Sequence, residues 1–225
     1  MDDKPFPSQL YPRVIEPYLI GQTMTGGRST FGTEQVISSP GPWWGMRYSG
    51  CPVFTDDQIL DFRAWAFSLD GRAGTTLVPA MDWMRANWPA DQYGRVLSPE
   101  NVRRSRLDQT IFADPPIPAQ SRIIAQTLAA APLRATTLRI GVSQGRPIRP
   151  GMFFSVGVRL YTVIAKPAED TFTIRPPLRE PVAAGASVNF ENPVCRMRLA
   201  NDDGARLALE YGRWGFVDLE FVEAI

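Results

Sequence analysis

A chain of 225 residues makes one large domain or two small ones. Its 24 Lys+Arg against 23 Asp+Glu give a net charge of +1 and 44% of its residues are hydrophobic, which counts against disorder and against a large basic field for nucleic acid. Histidine is absent, which removes Ser-His-Asp triads, Cys-His pairs, His-ligated zinc and the commonest acid–base group near neutral pH.

At the N-terminus, Met1-Asp2-Asp3-Lys4-Pro5 has no apolar run of the signal-peptide kind, and nowhere do the ~18–20 apolar residues of a membrane span follow one another. The expectation is a soluble chain made in a cytoplasm, without a membrane span. Twenty-one prolines and eighteen glycines cut the sequence into short apolar runs rich in Val, Ile, Thr, Phe and Tyr, which predicts a mainly β fold. Residues 34–37 and 43–48 read as strands separated by the turn formers at 38–42. Thr55-Asp56-Asp57-Gln58 is a capping box with acids in the first turn. Ile59, Phe62, Ala66 and Leu69 follow at three- and four-residue spacing before the stop Asp70-Gly71, so a helix is expected over 56–69. A further strand is expected at 75–79.

From 83 to 118 the periodicity fails, and this proline-containing stretch reads as an extended arm, since a loop above ~12–15 residues is usually functional or disordered. Residues 121–131 fit a helix by their alanines or a strand leading into 136–140, and both stay open. Strands are then expected at 136–140, 152–156, 159–164, 172–175 and 187–190, which at ~8–12-residue spacing predict a small barrel or sandwich. In the tail, strands are expected at 196–199, 207–211 and 217–222. In the last of these Val217, Leu219 and Phe221 alternate with Asp218, Glu220 and Val222, one dry face against one wet face. The dry face needs a partner, and the sheet of the first domain is the natural one. The expected organisation is therefore a domain of 1–118 plus 194–225 with a small β-barrel-like domain, 119–193, inserted in it.

Cys51 and Cys195 are too far apart for a C-x-x-C pair and read as two isolated reduced thiols. Asp56-Asp57 and Asp202-Asp203 are paired carboxylates, but the first pair suits a helix start and the second an ordinary turn, Asn201-Asp202-Asp203-Gly204. Gly26-Gly27-Arg28-Ser29 and Gly141-Val142-Ser143-Gln144-Gly145-Arg146 are read as glycine-containing loops that match no phosphate-binding pattern. In the second domain Arg146, Arg149, Arg159, Arg175 and Arg179 lie near Phe153, Phe154, Tyr161 and Phe172 in sequence, which would suit an oligonucleotide face; the charge balance and strand positions favour core packing instead. Trp43-Trp44 on one strand must point to opposite faces, and an outward Trp is an interface signal.

Several stretches together resemble tail proteins of siphophages and prophages of alphaproteobacteria. They are Thr25-Gly26-Gly27-Arg28-Ser29 with Gly32-Thr33-Glu34-Gln35-Val36, Phe62-Arg63-Ala64-Trp65 with Asp70-Gly71-Arg72-Ala73-Gly74 and Leu77-Val78-Pro79, and Arg159-Leu160-Tyr161 with Thr173-Ile174-Arg175-Pro176-Pro177-Leu178-Arg179. Pro193-Val194-Cys195-Arg196-Met197-Arg198-Leu199-Ala200 and Phe221-Val222-Glu223-Ala224-Ile225 complete the match, which runs from about residue 12 to 225. The resemblance implies a virion structural protein at the tip of a long non-contractile tail, most like a distal tail protein. It implies a β-sandwich-plus-helix domain that closes into a hexameric ring between the tail tube protein and the tail hub protein, an outward second β domain, and a place near the tape measure protein. No catalytic, cofactor or metal residue transfers, and no sequence-specific nucleic-acid binding is expected. Partner contacts are expected at Arg28, Trp43, Trp44, Arg103, Arg104 and Arg106. The alternatives are a carbohydrate- or receptor-binding tail-tip module, another minor tail or baseplate component, and a tail-associated hydrolase working with carboxylates alone.

Overall fold

A computed structural model describes residues 3–21, 23–28, 31–32, 34–38, 41–81, 124–144 and 147–225. The fold is mainly β with one helix, and the chain divides into two compact units, Met1–Pro79 with Cys195–Ile225, and Ala80–Val194. The expected arm at 83–118 and the expected domain boundary at 118/119 lie outside the described residues.

The first unit opens with β1 (Val14–Ile20), β2 (Thr23–Arg28), β3 (Glu34–Ser38) and β4 (Trp43–Val53), followed by α1 (Asp56–Ser68) and β5 (Thr76–Pro79). The second unit holds β6 (Ile124–Thr127), β7 (Thr137–Gln144), β8 (Phe153–Val156), β9 (Arg159–Ala168), β10 (Thr171–Arg175) and β11 (Ser187–Asn189). The chain then returns to the first unit as β12 (Val194–Leu199) and β13 (Gly215–Glu223). Residues 121–131, open between helix and strand in the sequence, contribute β6.

In the first unit a five-stranded sheet runs in the order β1-β4-β13-β12-β5, and β2 and β3 make a separate two-stranded ladder. The wet–dry alternation of 217–222 is realised: Val217, Leu219 and Phe221 are buried, and β13 pairs with β4 on one side and β12 on the other. A bulge sets the register between β4 and β13, where Val217 faces Cys51 but Leu219 faces Tyr48. Ser49 and Gly50, the latter at φ 64°, together stand against the single Asp218, and this one extra residue lets Tyr48 and Cys51 both face the core. The core is aromatic, with Phe221, Tyr48, Trp65 and Phe6 meeting edge to face at centroid distances of 5.6–6.4 Å. The Tyr48 hydroxyl donates to the Pro79 carbonyl, so this buried ring is polar-satisfied, and burial pushes its pKa far above the ordinary tyrosine value.

The N-terminal segment is tied down by charge. Asp3 accepts from the Arg196 guanidinium at 2.7 and 3.0 Å and from the Thr75 hydroxyl at 2.7 Å. Burial alone would raise the carboxyl pKa, but these hydrogen bonds and the Arg196 charge hold it below the ordinary 3.8. A depressed folded-state value stabilises above the unfolded pKa, and the contribution disappears as pH falls through the folded one. Asp3→Asn should therefore cost about 1 kcal/mol at pH 7, and the gap from the parent should close below pH 4 in urea melts. A gap of the same size at pH 2 as at pH 7 would show that the pair is not its source.

The second unit is a closed six-stranded barrel in the order β10-β7-β6-β11-β8-β9. Its interior is filled by side chains, among them Leu138, Ile140, Phe154, Tyr161, Val163, Phe172, Ile174 and Phe190. Phe154 stacks at 5.6 Å on Tyr161 and at 5.2 Å on Phe190. Phe154, Tyr161 and Phe172 thus pack the core, the reading preferred over an oligonucleotide face. Arg159 is buried and ion-pairs with Glu180 at 3.1 Å, and the Arg179 amide donates to the Tyr161 hydroxyl. Residues 141–144 belong to β7 and are not a loop, because Gly141 pairs with Gln126 and Val142 with Ala125.

Residues 207–211 do not form the expected strand. Tyr211 and Gly212, at φ 51° and 71°, reverse the chain, and a single bridge joins Glu210 to Trp214. The apolar alternation there reflects half-buried Leu207 and Leu209 without a neighbouring strand to pair with.

Candidate partner surfaces

Helix α1 begins where its sequence says it should. Thr55 Oγ1 accepts from the Gln58 amide at 3.2 Å while Gln58 Oε1 accepts from the Thr55 and Phe54 amides, and Asp56 and Asp57 lie at the positive end of the helix dipole. Ile59, Phe62 and Trp65 are buried, and Trp65 Nε1 donates to Thr76 Oγ1. At 100° per residue, Leu60, Ala64 and Phe67 fall on the opposite side. Leu60 is 60% exposed and Phe67 82% exposed, so α1 carries a second apolar stripe that its own unit does not cover. Asp57, Asp61 and Arg63 border it, all exposed.

A second surface lies where β4 ends and β13 begins. Phe54, Trp214 and Phe216 meet edge to face, with ring centroids 5.4, 6.2 and 6.3 Å apart, and all three are exposed. The Arg13 guanidinium stands 4.6 Å above the Phe216 ring, a cation–π contact. Arg13 is held there by its amide, which donates to the Ser49 carbonyl, and Gly50 leaves room for its side chain. Asp218, next on the same face of β13, accepts from the Gly50 amide at 2.7 Å. Just before Trp214, the tight turn presents Tyr211, 95% exposed, on a left-handed backbone that a bulky residue seldom adopts.

Of the residues expected at an interface, the side chains of Trp43 and Trp44 alone fall among those described. Trp44 is only 2% exposed and its ring belongs to the core, so it is removed as a contact residue; its amide donates to Glu223 Oε2 at 3.0 Å. Trp43, on the other parity of β4 and opposite Ile20, is half-buried. Arg28 closes β2 opposite Glu34, and Arg103, Arg104 and Arg106 lie outside the described residues. Phe54, Leu60, Phe67, Trp214 and Phe216 escaped the sequence reading. Phe216 could have been found, since it shares the wet parity of Asp218 and Glu220.

Among the described residues no three His, Cys, Asp or Glu side chains gather as a metal site. Asp202 accepts from the Arg72 amide at 3.2 Å, and Asp203 pairs with Arg206 at 2.6 Å. Cys51 and Cys195 are buried free thiols, as expected. Burial, reinforced by the Asp218 charge, pushes Cys51 up to about 12. Neither cysteine should react with a thiol reagent at pH 8 until the protein is unfolded; rapid labelling of Cys51 in the native protein would contradict this. Among the described residues no helix is long and apolar enough to cross a membrane. No protein-family model matches the chain, and no curated protein matches it.

Proposed function

We propose that this chain is a structural protein of a long non-contractile phage tail, a distal tail protein whose copies close into a ring at the tail tip and join the tail tube to the hub. The observation that carries the reading is that the first unit leaves two apolar surfaces open, the Leu60–Phe67 stripe and the Phe54/Trp214/Phe216 cluster. Lone apolar residues on a surface are ordinary, but clustered aromatics with an arginine among them are the composition of protein contacts.

The resemblance supplies the assembly, and physics agrees with it in three respects. A head-to-tail interface that closes by rotation lets one pair of surfaces serve every copy. A net charge of +1 suits a lumen that DNA must pass without being gripped, since neutralising several phosphates would give tight, salt-dependent binding. The helix packed on a five-stranded sheet in the first unit supplies the helix and one sheet of the β-sandwich-plus-helix domain that the resemblance implies. In this reading the barrel is the outward domain, the partners are the chain itself, most simply as a hexamer, with the tube, hub and tape measure proteins, and the chemistry is none.

A carbohydrate- or receptor-binding module is the second reading, and here, among the described residues, the exposed aromatics sit on the first unit while Phe154, Tyr161, Phe172 and Phe190 of the barrel unit are buried. Labelled antibody on intact particles should mark the tail tip, and purified protein should give rings in electron micrographs. A solitary side appendage, or turnover of a cell-wall or polysaccharide substrate, would overturn the proposal.

A further inference from the structure

The two open surfaces of the first unit lie on opposite sides of its sheet. Val217, Leu219 and Phe221 face the core, where Trp65 of α1 meets Phe221 at 6.4 Å, so the stripe of Leu60, Ala64 and Phe67 points away from the sheet beyond the helix. Phe216 stands on the other parity of β13 and points out of the opposite face, with Phe54 and Trp214 around it. The two surfaces also differ in charge. Asp56, Asp57 and Asp61 border the stripe with Arg63, and none of the three carboxylates is in an ion pair among the described residues. The cluster has Arg13 on its central ring and Arg213 in the adjoining turn; of the acids nearby, Asp218 is turned onto the Gly50 amide and Glu210 opens the turn. Leu60 and Phe67 lie about 10 Å apart along the helix axis, a length the three rings cover once a ring's own width is added to their 5.4–6.3 Å spacings.

Resting on the ring reading above, we infer that these are the two halves of one heterologous interface: the acidic, apolar outer face of α1 in one copy docks on the arginine-capped aromatic cluster of the next. Two self-complementary patches would give dimers, whereas unlike patches on opposite sides of a unit propagate head to tail and close when the rotation allows. Arg13 then meets carboxylates of the neighbouring helix, and Phe67 enters the ring cluster as the apolar anchor.

The test is the mass in solution of the full chain, of Phe67→Glu and of Trp214→Glu, each alone and then mixed in equal amounts. The parent should self-associate, and each variant should lose at least about thirtyfold in association and run as a monomer. The mixture should form a heterodimer and nothing larger, because one intact cluster meets one intact helix face and both remaining faces are spoiled. That heterodimer also proves that the variants are folded. Rings formed by both variants alone would overturn this interface and leave the ring reading intact, and a mixture that stays monomeric would overturn it as well. A parent chain monomeric at its highest soluble concentration overturns the inference too, while the place of the protein in the particle is decided separately by the antibody label.

Discussion

Replacing Phe221 by alanine should destabilise the first unit by about 3–5 kcal/mol, the cost of removing a fully buried aromatic ring and leaving a cavity. The ring is wholly buried and touches Phe6, Tyr48 and Trp65, which come from the N-terminal segment, from β4 and from α1. One side chain therefore links three separate stretches of the chain, and the cavity cannot be filled by a movement of any one of them. Against a total stability of ~5–15 kcal/mol for an ordinary domain, this is a large fraction. Urea unfolding followed by tryptophan emission reads it directly, since Trp44 and Trp65 are both buried in this unit. A loss below about 1 kcal/mol would mean that the neighbouring rings close over the gap.

A larger effect is expected from ending the chain at residue 214. Strand β13 is the middle strand of the sheet, and its loss separates β4 from β12 and removes Val217, Leu219 and Phe221 from the core. Helix α1 is 13 residues long, a length at which isolated helices are marginal in water, so its helicity depends on packing against that core. The truncated protein should lose hydrogen-exchange protection over residues 56–68 while residues 137–175 in the barrel keep theirs. Protected amides in α1 after truncation would refute the central role given to β13.

What the sequence made legible was local. The capping box and the three- and four-residue spacing define α1 without reference to anything distant, and glycine and proline punctuation marks the barrel strands. Strand β1 was not foreseen, because Pro17 interrupts it, and Pro17 is tolerated only because β1 is at the edge of the sheet. Strand β4 was read to Tyr48 but runs on to Val53, since the bulge at Ser49 and Gly50 breaks the period of two and looks like a turn. The candidate surfaces were harder still. Leu60 and Phe67 differ in no local way from Ile59 and Phe62, and only the placement of α1 on the sheet decides which are covered. Trp43 and Trp44 had to point to opposite faces of their strand, and only the fold decides that Trp44 is the one in the core.

The position of β13 also dictates an order of events during synthesis. Residues 14–79 emerge from the ribosome before the barrel, but their sheet cannot close until residues 215–223 have emerged, because the strand that must lie between β4 and β12 is made last. The barrel, whose six strands are contiguous in sequence, can fold in that interval. Until β13 arrives, the hydrogen-bonding edge of β4 stands open to foreign strands, so the nascent first unit is most exposed to mispairing while the finished barrel is already waiting beside it in the sequence.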